Sequence, residues 1–550
     1  MTIHMDDIHL FISSLPLWYS HIFLISFIHL ITWGYCITIR GFCSDDIEGI
    51  AKFSDRFVQE KDPQGNIVKE YKLDYYEVQW PKDQKDKDGK LLTVKVPNVG
   101  KDPTIGWPNW FMRWWRLNLG KSFQKIGENS KGHIIYGYVQ SARRHHAINI
   151  VLQLFNLLLG YNLLSRLFGS NLAFLSIVLF AVHPCGVQTV GWISGVNYVL
   201  SLFGALLTFN IPMYVHNPYI LYPLLSLTSY ISCMTLLPGC FNFVILFILG
   251  YRLEILPSLL IGLFVLSRQG REAVSFRIKA FKEQNMQRST FLSLSKPIVM
   301  IKTLWYYVRL VFYPKRLGLF HTWGYHYEEP IEHTDGLFLF GFISLIAISL
   351  GIYVGSFPIQ FGLIWFMTYL LIFSNIVTAQ QFVSERYAYI PTFGFSLVLA
   401  YFLIDYPVLI AFIVGVFIMR IWMHLPTFKN EVLFYESNCF NFPQSEVAMG
   451  NLGVAYLNHG MHYKAFDEWN SATRQNPLYD VPWYNLYSIS KQNGDIINAR
   501  RYLQKCLDAH TVHFPEQWKK ELAEMDIIIA KAISDGRLKQ VPQPQVQPPV

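Results

Sequence analysis

The sequence predicts a helical, polytopic membrane domain followed by a smaller domain of helical repeats. Three observations carry this. The 550 residues are 52% hydrophobic and 16% aromatic with only 15% charged, a balance unlike that of soluble domains. Apolar runs recur along residues 1–428, and a helix needs about 20 such residues to cross the hydrocarbon layer. Beyond residue 428 the chain turns polar and repeats itself.

Only helices or closed barrels satisfy their backbones in lipid, so the apolar runs are read as helices. Eleven spans are expected: Leu17–Ile37, Ile148–Leu167, Leu172–Val182, Val187–Phe209, Leu221–Leu236, Phe241–Leu266, Ile301–Tyr313, Leu337–Val354, Phe361–Ile376, Pro391–Leu403 and Val408–Met423. The first is too long for a signal-peptide core and lacks a basic start and a small-residue cleavage pattern, so it is read as a retained span. Between the first two lies a polar, aromatic loop, 39–144. Its KDQKDKDGK stretch reads as a solvated hairpin tip. Its WPNWFMRWWRL stretch reads as interfacial, because Trp and Arg favour the headgroup level.

Charge then assigns sides. The segment after the sixth span, SRQGREAVSFRIKAFKEQNMQRS, carries Arg268, Arg271, Arg277, Lys279, Lys282 and Arg288 against Glu272 and Glu283, and the positive-inside bias directs it to the cytoplasm. Counting six spans back puts the N-terminus inside and Asp45 and Asp46 outside; five further spans carry the residues after Lys429 outside as well. The net charge of +8 is scattered among the spans, which fits anionic lipid heads and not nucleic acid. Seven cysteines form no CxxC pair or metal spacing and read as small apolar fillers.

Shifted by 34 residues on itself, the C-terminal part matches Pro443 with Pro477, Asn451 with Asn485, Leu452 with Leu486, Gly460 with Gly494 and Ala465 with Ala499. That is the tetratricopeptide period, each unit a helical hairpin with a small residue at its crossing. Such hairpins stack because neither buries its apolar face alone. The expected repeat domain is 429–535, with Glu431–Phe442 and Phe514–Ile533 as caps, and the Pro/Gln tail 536–550 is expected to be disordered.

The candidate chemistry begins at FCSDDIEGI, Phe42–Ile50. Two adjacent carboxylates, Asp45 and Asp46, repel each other at the mouth of a span and call for a shared proton, a cation or a polar acceptor; a solvated helix start accounts for the same residues. With Glu48 they offer carboxylates to a divalent cation, although a solvated acidic turn needs none, and the sequence requires no cofactor. In Glu385-Arg386-Tyr387 the guanidinium can grip phosphate oxygens in a fixed fork with Glu385 orienting it; a structural Glu and Arg pair closing a helix end is the plainer alternative. His183, His146 and His145 stand at span ends as phosphate contacts or as interfacial hydrogen-bonding residues.

FCSDDIEGI after a first span resembles the opening motif of the transmembrane and tetratricopeptide-repeat O-mannosyltransferases and their bacterial relatives, membrane glycosyltransferases of the GT-C class. HHAINIVLQ (145–153) resembles that family's FHxxNxxLH. FAVHPCGVQTVGWISGVNYVL (180–200) is similar to HPxxTEAVxWIxGRxDxL, and LWYYVRLVFYPKRL (304–317) to YLxKLxWPxxL. SNIVTAQQFVSERYAYIPTFGF (374–395) is similar to SNxxxxxQxxxxERYLYxPSxGF. The resemblance implies a GT-C membrane domain that moves a sugar from a polyprenyl-phosphate carrier to a protein hydroxyl on the external face. It implies Asp46 or Asp45 as catalytic base; Arg386, with His183 and His146, is expected at the lipid phosphate on the residue chemistry given above. The repeats would hold the acceptor protein or partner subunits. It further implies a bacterial inner membrane with periplasmic repeats or, alternatively, the endoplasmic reticulum membrane.

The chain also departs from the pattern. Val187-Gln188-Thr189-Val190 stands for TEAV and loses a carboxylate; Gly195-Val196-Asn197-Tyr198 stands for GRxD and loses a charge pair; SCMTLLP (232–238) lacks the lysine of its block. Intramembrane charges are costly and usually functional, so these losses keep a second expectation open: a noncatalytic membrane scaffold presenting the repeats to a partner complex. A transporter is disfavoured, since the spans show no duplicated halves.

Overall fold

The computed structural model describes residues 17–43, 57–72, 76–79, 93–96, 118–128, 133–268, 296–319, 334–374, 383–509 and 515–535. They form two compact units, one ending at Phe442 and one beginning at Pro443, and both are predominantly helical.

In the first unit, α1 (Leu17–Trp33) closes in a 3-10 turn, Gly34–Thr38. Six short strands then interrupt the helical pattern: β1 (Phe57–Lys61), β2 (Ile67–Lys72), β3 (Tyr76–Gln79), β4 (Thr93–Val96), β5 (Lys121–Glu128) and β6 (Ile134–Gln140). They pair antiparallel as a four-stranded sheet in the order β2-β1-β6-β5 and a separate β3-β4 hairpin. The sequence reading set a hairpin tip at KDQKDKDGK, and β3 and β4 pair on either side of it; the four-stranded sheet was not expected. The KDQKDKDGK stretch falls between the paired β3 and β4, and it and the Trp-rich stretch lie outside the described residues.

α2 (Ala142–Phe168) ends at Gly169, whose φ of +87° turns the chain into α3 (Ser170–Ala181). A 3-10 turn (Pro184–Gly186), a π turn (Val187–Gly191) and a second 3-10 turn (Ile193–Gly195) lead into α4 (Val196–Asn210). α5 (Pro218–Thr235) starts with Pro just inside an Asn217 cap, both favoured at a helix start. α6 (Asn242–Ile248) and α7 (Ile255–Arg268) follow. Next come α8 (Lys296–Phe312), α9 (Gly336–Val354), α10 (Phe357–Leu370), α11 (Glu385–Leu403), α12 (Pro407–His424) and α13 (Glu431–Asn441). Among the described residues, five helical segments are long and apolar enough to cross a membrane, namely Leu17–Thr38, Ala142–Phe168, Ile193–Met213, Gly336–Val354 and Pro407–Lys429; the bent pair Ser170–Ala181 and Pro184–Gly191 makes a sixth candidate.

Contacts order these helices end to end. Trp33 Nε1 donates to Ala181 O, Asn149 Nδ2 to Trp192 O and Trp422 Nε1 to Ile31 O. These bonds bring the end of α1, the start of α2, the end of α3 and the end of α12 to one end of the bundle, called here the near end. α10 and α11 pack antiparallel through bare backbone: a Cβ on Gly362 would sit 2.5 Å from Gly394 O, and one on Gly394 would sit 2.4 Å from Gly362 O. Trp365 Nε1 donates to Ile390 O nearby.

Two of the expected spans are corrected by this geometry. The sixth, Phe241–Leu266, is no continuous helix: it breaks after α6 at Gly250, which has φ +85°, and α7 folds back. Gly262 on α7 lies against the chain where α6 begins, its Cβ position 2.5 Å from Cys240 O. Asn242, the first residue of α6, accepts from Tyr369 OH at 2.7 Å, and Tyr369 is at the near end, since Phe373 just beyond it stacks on Tyr387 of α11. Arg268 therefore returns to the near end.

The seventh expected span, Ile301–Tyr313, does not run from one end to the other. α8 runs parallel to α9: Lys302 pairs with Asp335 at 2.9 Å, Trp305 stacks on Phe340 at 5.1 Å, and a Cβ on Gly341 would sit 2.1 Å from Ile301 O. Farther along, Val308, Val311 and Phe312 share one apolar cavity with Ser344, Ala347 and Ile348. α9 starts at the near end, because its last turns meet the start of α10, with Gly351 against Leu363 and Gly355 against Ile359. Within six residues of Phe312 the chain is back at the first residue of α11, where Gly318 N donates to Glu385 Oε1 at 2.8 Å.

The described residues on either side of the basic segment, Arg268 and Lys296, thus both stand at the near end, the end where the first loop also begins. The sequence reading set that segment on the side opposite Asp45 and Asp46, and the fold-back at Gly250 removes that step. The far-end connections 169, 211–217, 249–254, 355–356 and 404–406 hold Arg252 as their only Lys or Arg.

The second unit holds α14 (Glu446–Asn458), α15 (His462–Gln475), α16 (Asp480–Gln492), α17 (Ile496–Asp508) and α18 (Pro515–Ser534). Residues paired by the 34-residue shift take equivalent places. Gly460 and Gly494 turn the two hairpins at φ +74° and +76°, Leu452 and Leu486 are buried, and Ala465 and Ala499 are fully buried at the crossings. Gly453 leaves room for the Trp469 ring, whose Nε1 donates to Gly450 O at 3.0 Å. α18 covers the second hairpin through Trp518 and Met525 against Tyr487, Leu503 and Cys506.

The unit boundary at Phe442 leaves α13 in the first unit, where Asn438 Oδ1 accepts from Leu319 N and Phe434 stacks on Trp192. The sequence reading set this segment with the repeats as a cap.

Candidate functional site

Polar residues gather at the near end although the helices that carry them are apolar. On α2, His145, Asn149, Gln153 and Asn156 recur at spacings of three and four and all are buried, which places them on one helical face. Asn149 Nδ2 donates to Thr189 O (3.3 Å) and Trp192 O (3.0 Å), satisfying carbonyls at the end of the π turn. Asn156 Nδ2 donates to Val199 O at 2.9 Å, and Tyr389 OH of α11 donates to Gln153 Oε1. A π turn widens the backbone and is frequent at functional sites; here it aims Gln188 toward α11.

Gln188 bridges two neighbours. Its Nε2 donates to Glu385 Oε2, and its Oε1 accepts from Ser384 Oγ at 2.8 Å. Glu385 is fully buried and also accepts from Gly318 N. A buried carboxylate is costly unless hydrogen-bonded, and these two donors come from segments remote in sequence. The adjacent Arg386 guanidinium lies over the Trp192 and Tyr387 rings, 5.6 Å from each centroid, within cation–π range. Tyr387 is held in turn by Phe373, stacked at 4.2 Å.

Trp192 also anchors the chain leading to the acidic pair. Its Nε1 donates to Cys43 O at 3.5 Å. Phe42 meets the His145 ring edge-on at 6.4 Å, and Gly41 passes so close to the 425–429 turn that a Cβ would sit 1.9 Å from Lys429 O. Asp45, Asp46 and Glu48 lie outside the described residues.

The histidines divide. His183 Nε2 donates to Val311 O (2.9 Å), and its Nδ1 accepts from Cys185 N (3.2 Å). Both ring nitrogens are used by backbone, so this ring ties the 183–185 turn to α8, and the expected phosphate contact is withdrawn. His145 Nε2 donates to Gln140 Oε1 at 2.9 Å, at the junction of sheet and helix. His146 is buried in the first turns of α2. Among the described residues no group of three or more His, Cys, Asp or Glu could hold a metal ion. The seven cysteines form no disulfide; Cys439 is partly exposed and the other six are buried.

Comparison with protein-family models, with curated proteins and with solved structures finds no match. The chemistry of the near end is therefore argued from its own residues. Sequence reading singled out Arg386 and Glu385 there. Trp192, Asn149 and Tyr389 stand at matched positions of the motif blocks but were given no role there, and Gln188 was read only as a lost carboxylate. The spacing of Asn149, Gln153 and Asn156 within an apolar run was the available signal, because polar side chains are kept in such helices only where they find partners.

Proposed function

We propose that this chain is an integral-membrane glycosyltransferase of the GT-C type that moves a sugar from a polyprenyl-phosphate carrier to a protein hydroxyl. The observation that carries the reading is the Trp192 junction. One ring holds Arg386 on its face and, through Nε1, the carbonyl of Cys43. Asp45 and Asp46 follow Cys43 by two and three residues, and three residues span at most about 10 Å. In this reading the acidic doublet and the guanidinium work on the same bound substrate.

The chemistry suits this pairing. A serine or threonine hydroxyl is a weak nucleophile; a carboxylate, with Asp46 preferred over Asp45, accepts its proton as the oxygen attacks the anomeric carbon. The carbon–phosphate-oxygen bond breaks with its electrons on the lipid phosphate, whose growing charge Arg386 meets with a fork of N–H donors. Displacement from one face inverts the anomeric centre. No cofactor enters these steps. The hairpins of the second unit are of tetratricopeptide type in this reading and hold the acceptor protein, since stacked hairpins offer a groove for extended peptide. The reaction belongs to the external face, periplasmic in a bacterial inner membrane or lumenal in the endoplasmic reticulum.

A second reading has its own support: a noncatalytic scaffold with the near end in the cytoplasm. The near end flanks the basic segment, while the far end has Arg252 in its connections and Arg166 in the last turn of α2, and the positive-inside bias pulls the more basic end inward. One experiment separates the two. Membranes carrying the full chain are supplied with polyprenyl-phosphate sugars and a panel of acceptor proteins, and the tail 536–550 is tagged for sided labelling. The transferase reading expects transfer by the wild type, its loss in Asp46→Asn with folded yield unchanged, and an external tag. Wild-type inactivity across the panel with a cytoplasmic tag overturns it in favour of the scaffold.

A further inference from the structure

We infer that Gln188 is a positioning residue whose amide does the work that a shared proton would do between two carboxyls, holding Glu385, and through it the N-terminal turn of α11 that bears Arg386, in one geometry across the physiological pH range. Three observations lead there. Glu385 is fully buried and takes one bond from Gly318 N and one from Gln188 Nε2. Ser384 Oγ donates into the other end of the same amide at 2.8 Å. Gln188 itself is held in a π turn whose carbonyls are gripped by Asn149.

The site asks position 188 for one donor and one acceptor in a fixed plane. An amide supplies both without titrating. A carboxyl supplies the donor only while protonated, and two carboxylates at hydrogen-bond distance cannot both ionise cheaply. Among the described residues, other titratable or charged groups facing Glu385 include Cys185 in the 3-10 turn after α3, Tyr306 on α8 and His424 at the end of α12, with Arg386 beside it on α11. An added carboxylate at 188 also acts on these neighbours, and the double variant Gln188→Glu with Glu385→Gln, which keeps one carboxyl at the pair as the wild type does, controls for that.

The role assigned to Arg386 rests on the proposed transferase function; the bracing of Glu385 does not. The test uses the full chain in detergent micelles. Thermal midpoints are measured at pH 5.5 and pH 8.0 for wild type, Gln188→Glu, Gln188→Leu and the double variant Gln188→Glu with Glu385→Gln. In the double variant the glutamine at 385 still accepts from Gly318 N and donates to the carboxylate at 188, which also accepts from Ser384.

Expected is a Gln188→Glu deficit that is small at pH 5.5 and wider by about 2–4 °C or more at pH 8.0. Gln188→Leu should be low at both pH values, and the double variant close to wild type at both. A Gln188→Glu deficit equal at the two pH values, or a double variant no better than the single one, overturns the inference. If Gln188→Glu yields no folded protein, recovery of folded protein by the double variant supports it and failure to recover overturns it. Undecaprenyl phosphate added to the wild type in the same micelles is a separate arm: no rise in midpoint counts against the transferase reading and leaves the bracing role standing.

Discussion

Replacing Asp335 by alanine tests the parallel arrangement of α8 and α9, the feature that most alters the topology expected for this chain. Asp335 uses both carboxylate oxygens: Oδ1 accepts from Phe338 N at 3.0 Å as the cap of α9, and Oδ2 accepts from Lys302 Nζ at 2.9 Å. Loss of the cap costs about 1 kcal/mol. The Lys302 side chain is only 5% exposed, so its ammonium loses its partner in a poorly solvated place. Breaking a fully buried pair costs about 3–5 kcal/mol; Asp335 is 43% exposed, and solvent screening lowers the expectation to about 1–3 kcal/mol. The total is about 2–4 kcal/mol for Asp335→Ala, measured by unfolding of the full chain in mixed micelles.

Two companions divide the sum. Asp335→Asn keeps the cap but has one oxygen where two are used, and should lose only the charge part. Lys302→Met in the Asp335→Ala background should recover that part. Burial pushes the Asp335 carboxyl up, but the bonds from Lys302 and Phe338 N outweigh it and hold it below its usual value of 3.8. A depressed carboxyl contributes above its unfolded value, so the wild-type advantage should persist at neutral pH and vanish as pH falls below 3.8. Asp335→Ala within about 0.5 kcal/mol of wild type, or no recovery with Lys302→Met, would refute the reasoning.

Thiol cross-linking gives the same register a geometric test. With Cys439→Ser as background, Trp305→Cys paired with Phe340→Cys should cross-link with a short reagent, while Trp305→Cys paired with Tyr353→Cys should not; the opposite pattern would mean antiparallel helices. Gly41→Ala places a methyl 1.9 Å from Lys429 O and should cost about 1–3 kcal/mol or more and shift the exit of the acidic segment, read as altered protease cleavage within 44–56; unchanged stability and cleavage would count against the crossing. In the second unit, burial pushes the Glu521 carboxyl up, but bonds from Tyr487, Gln517 and Lys491 outweigh it and hold it below its usual 4.5. Glu521→Gln should therefore raise hydrogen exchange over 480–535 at pH 6.0, by an opening energy of about 0.5–1 kcal/mol, and differ little from wild type at pH 3.5; an equal difference at both pH values would exclude the linkage.

The near-end site was half legible. Glu385-Arg386-Tyr387 stands out because charge inside an apolar run demands a partner, and the partner proved to be Gln188, almost two hundred residues earlier. That pairing has no local signature. His183 shows the converse, since its position at a span end invited a ligand role that its two backbone bonds exclude. The strands of the first loop left a readable trace in Asp62-Pro63-Gln64-Gly65, a turn composition realised with Gly65 at φ +89° and Gly65 N donating to Asp62 O.

What the sequence determined by itself was periodic or compositional. Helices occupy the apolar runs, and glycines 34 residues apart turn two equivalent hairpins. These follow from backbone satisfaction in lipid and from local conformational preference, which act over a few residues. Direction and neighbourhood were decided only in the tertiary structure. The fold-back at Gly250, the parallel course of α8 beside α9 and the meeting of Cys43, Trp192, Gln188 and Glu385 depend on contacts between residues tens to hundreds of positions apart. A helix of a given apolarity packs equally well up or down until the particular close approaches, such as Gly262 on Cys240 and Gly341 on Ile301, select one.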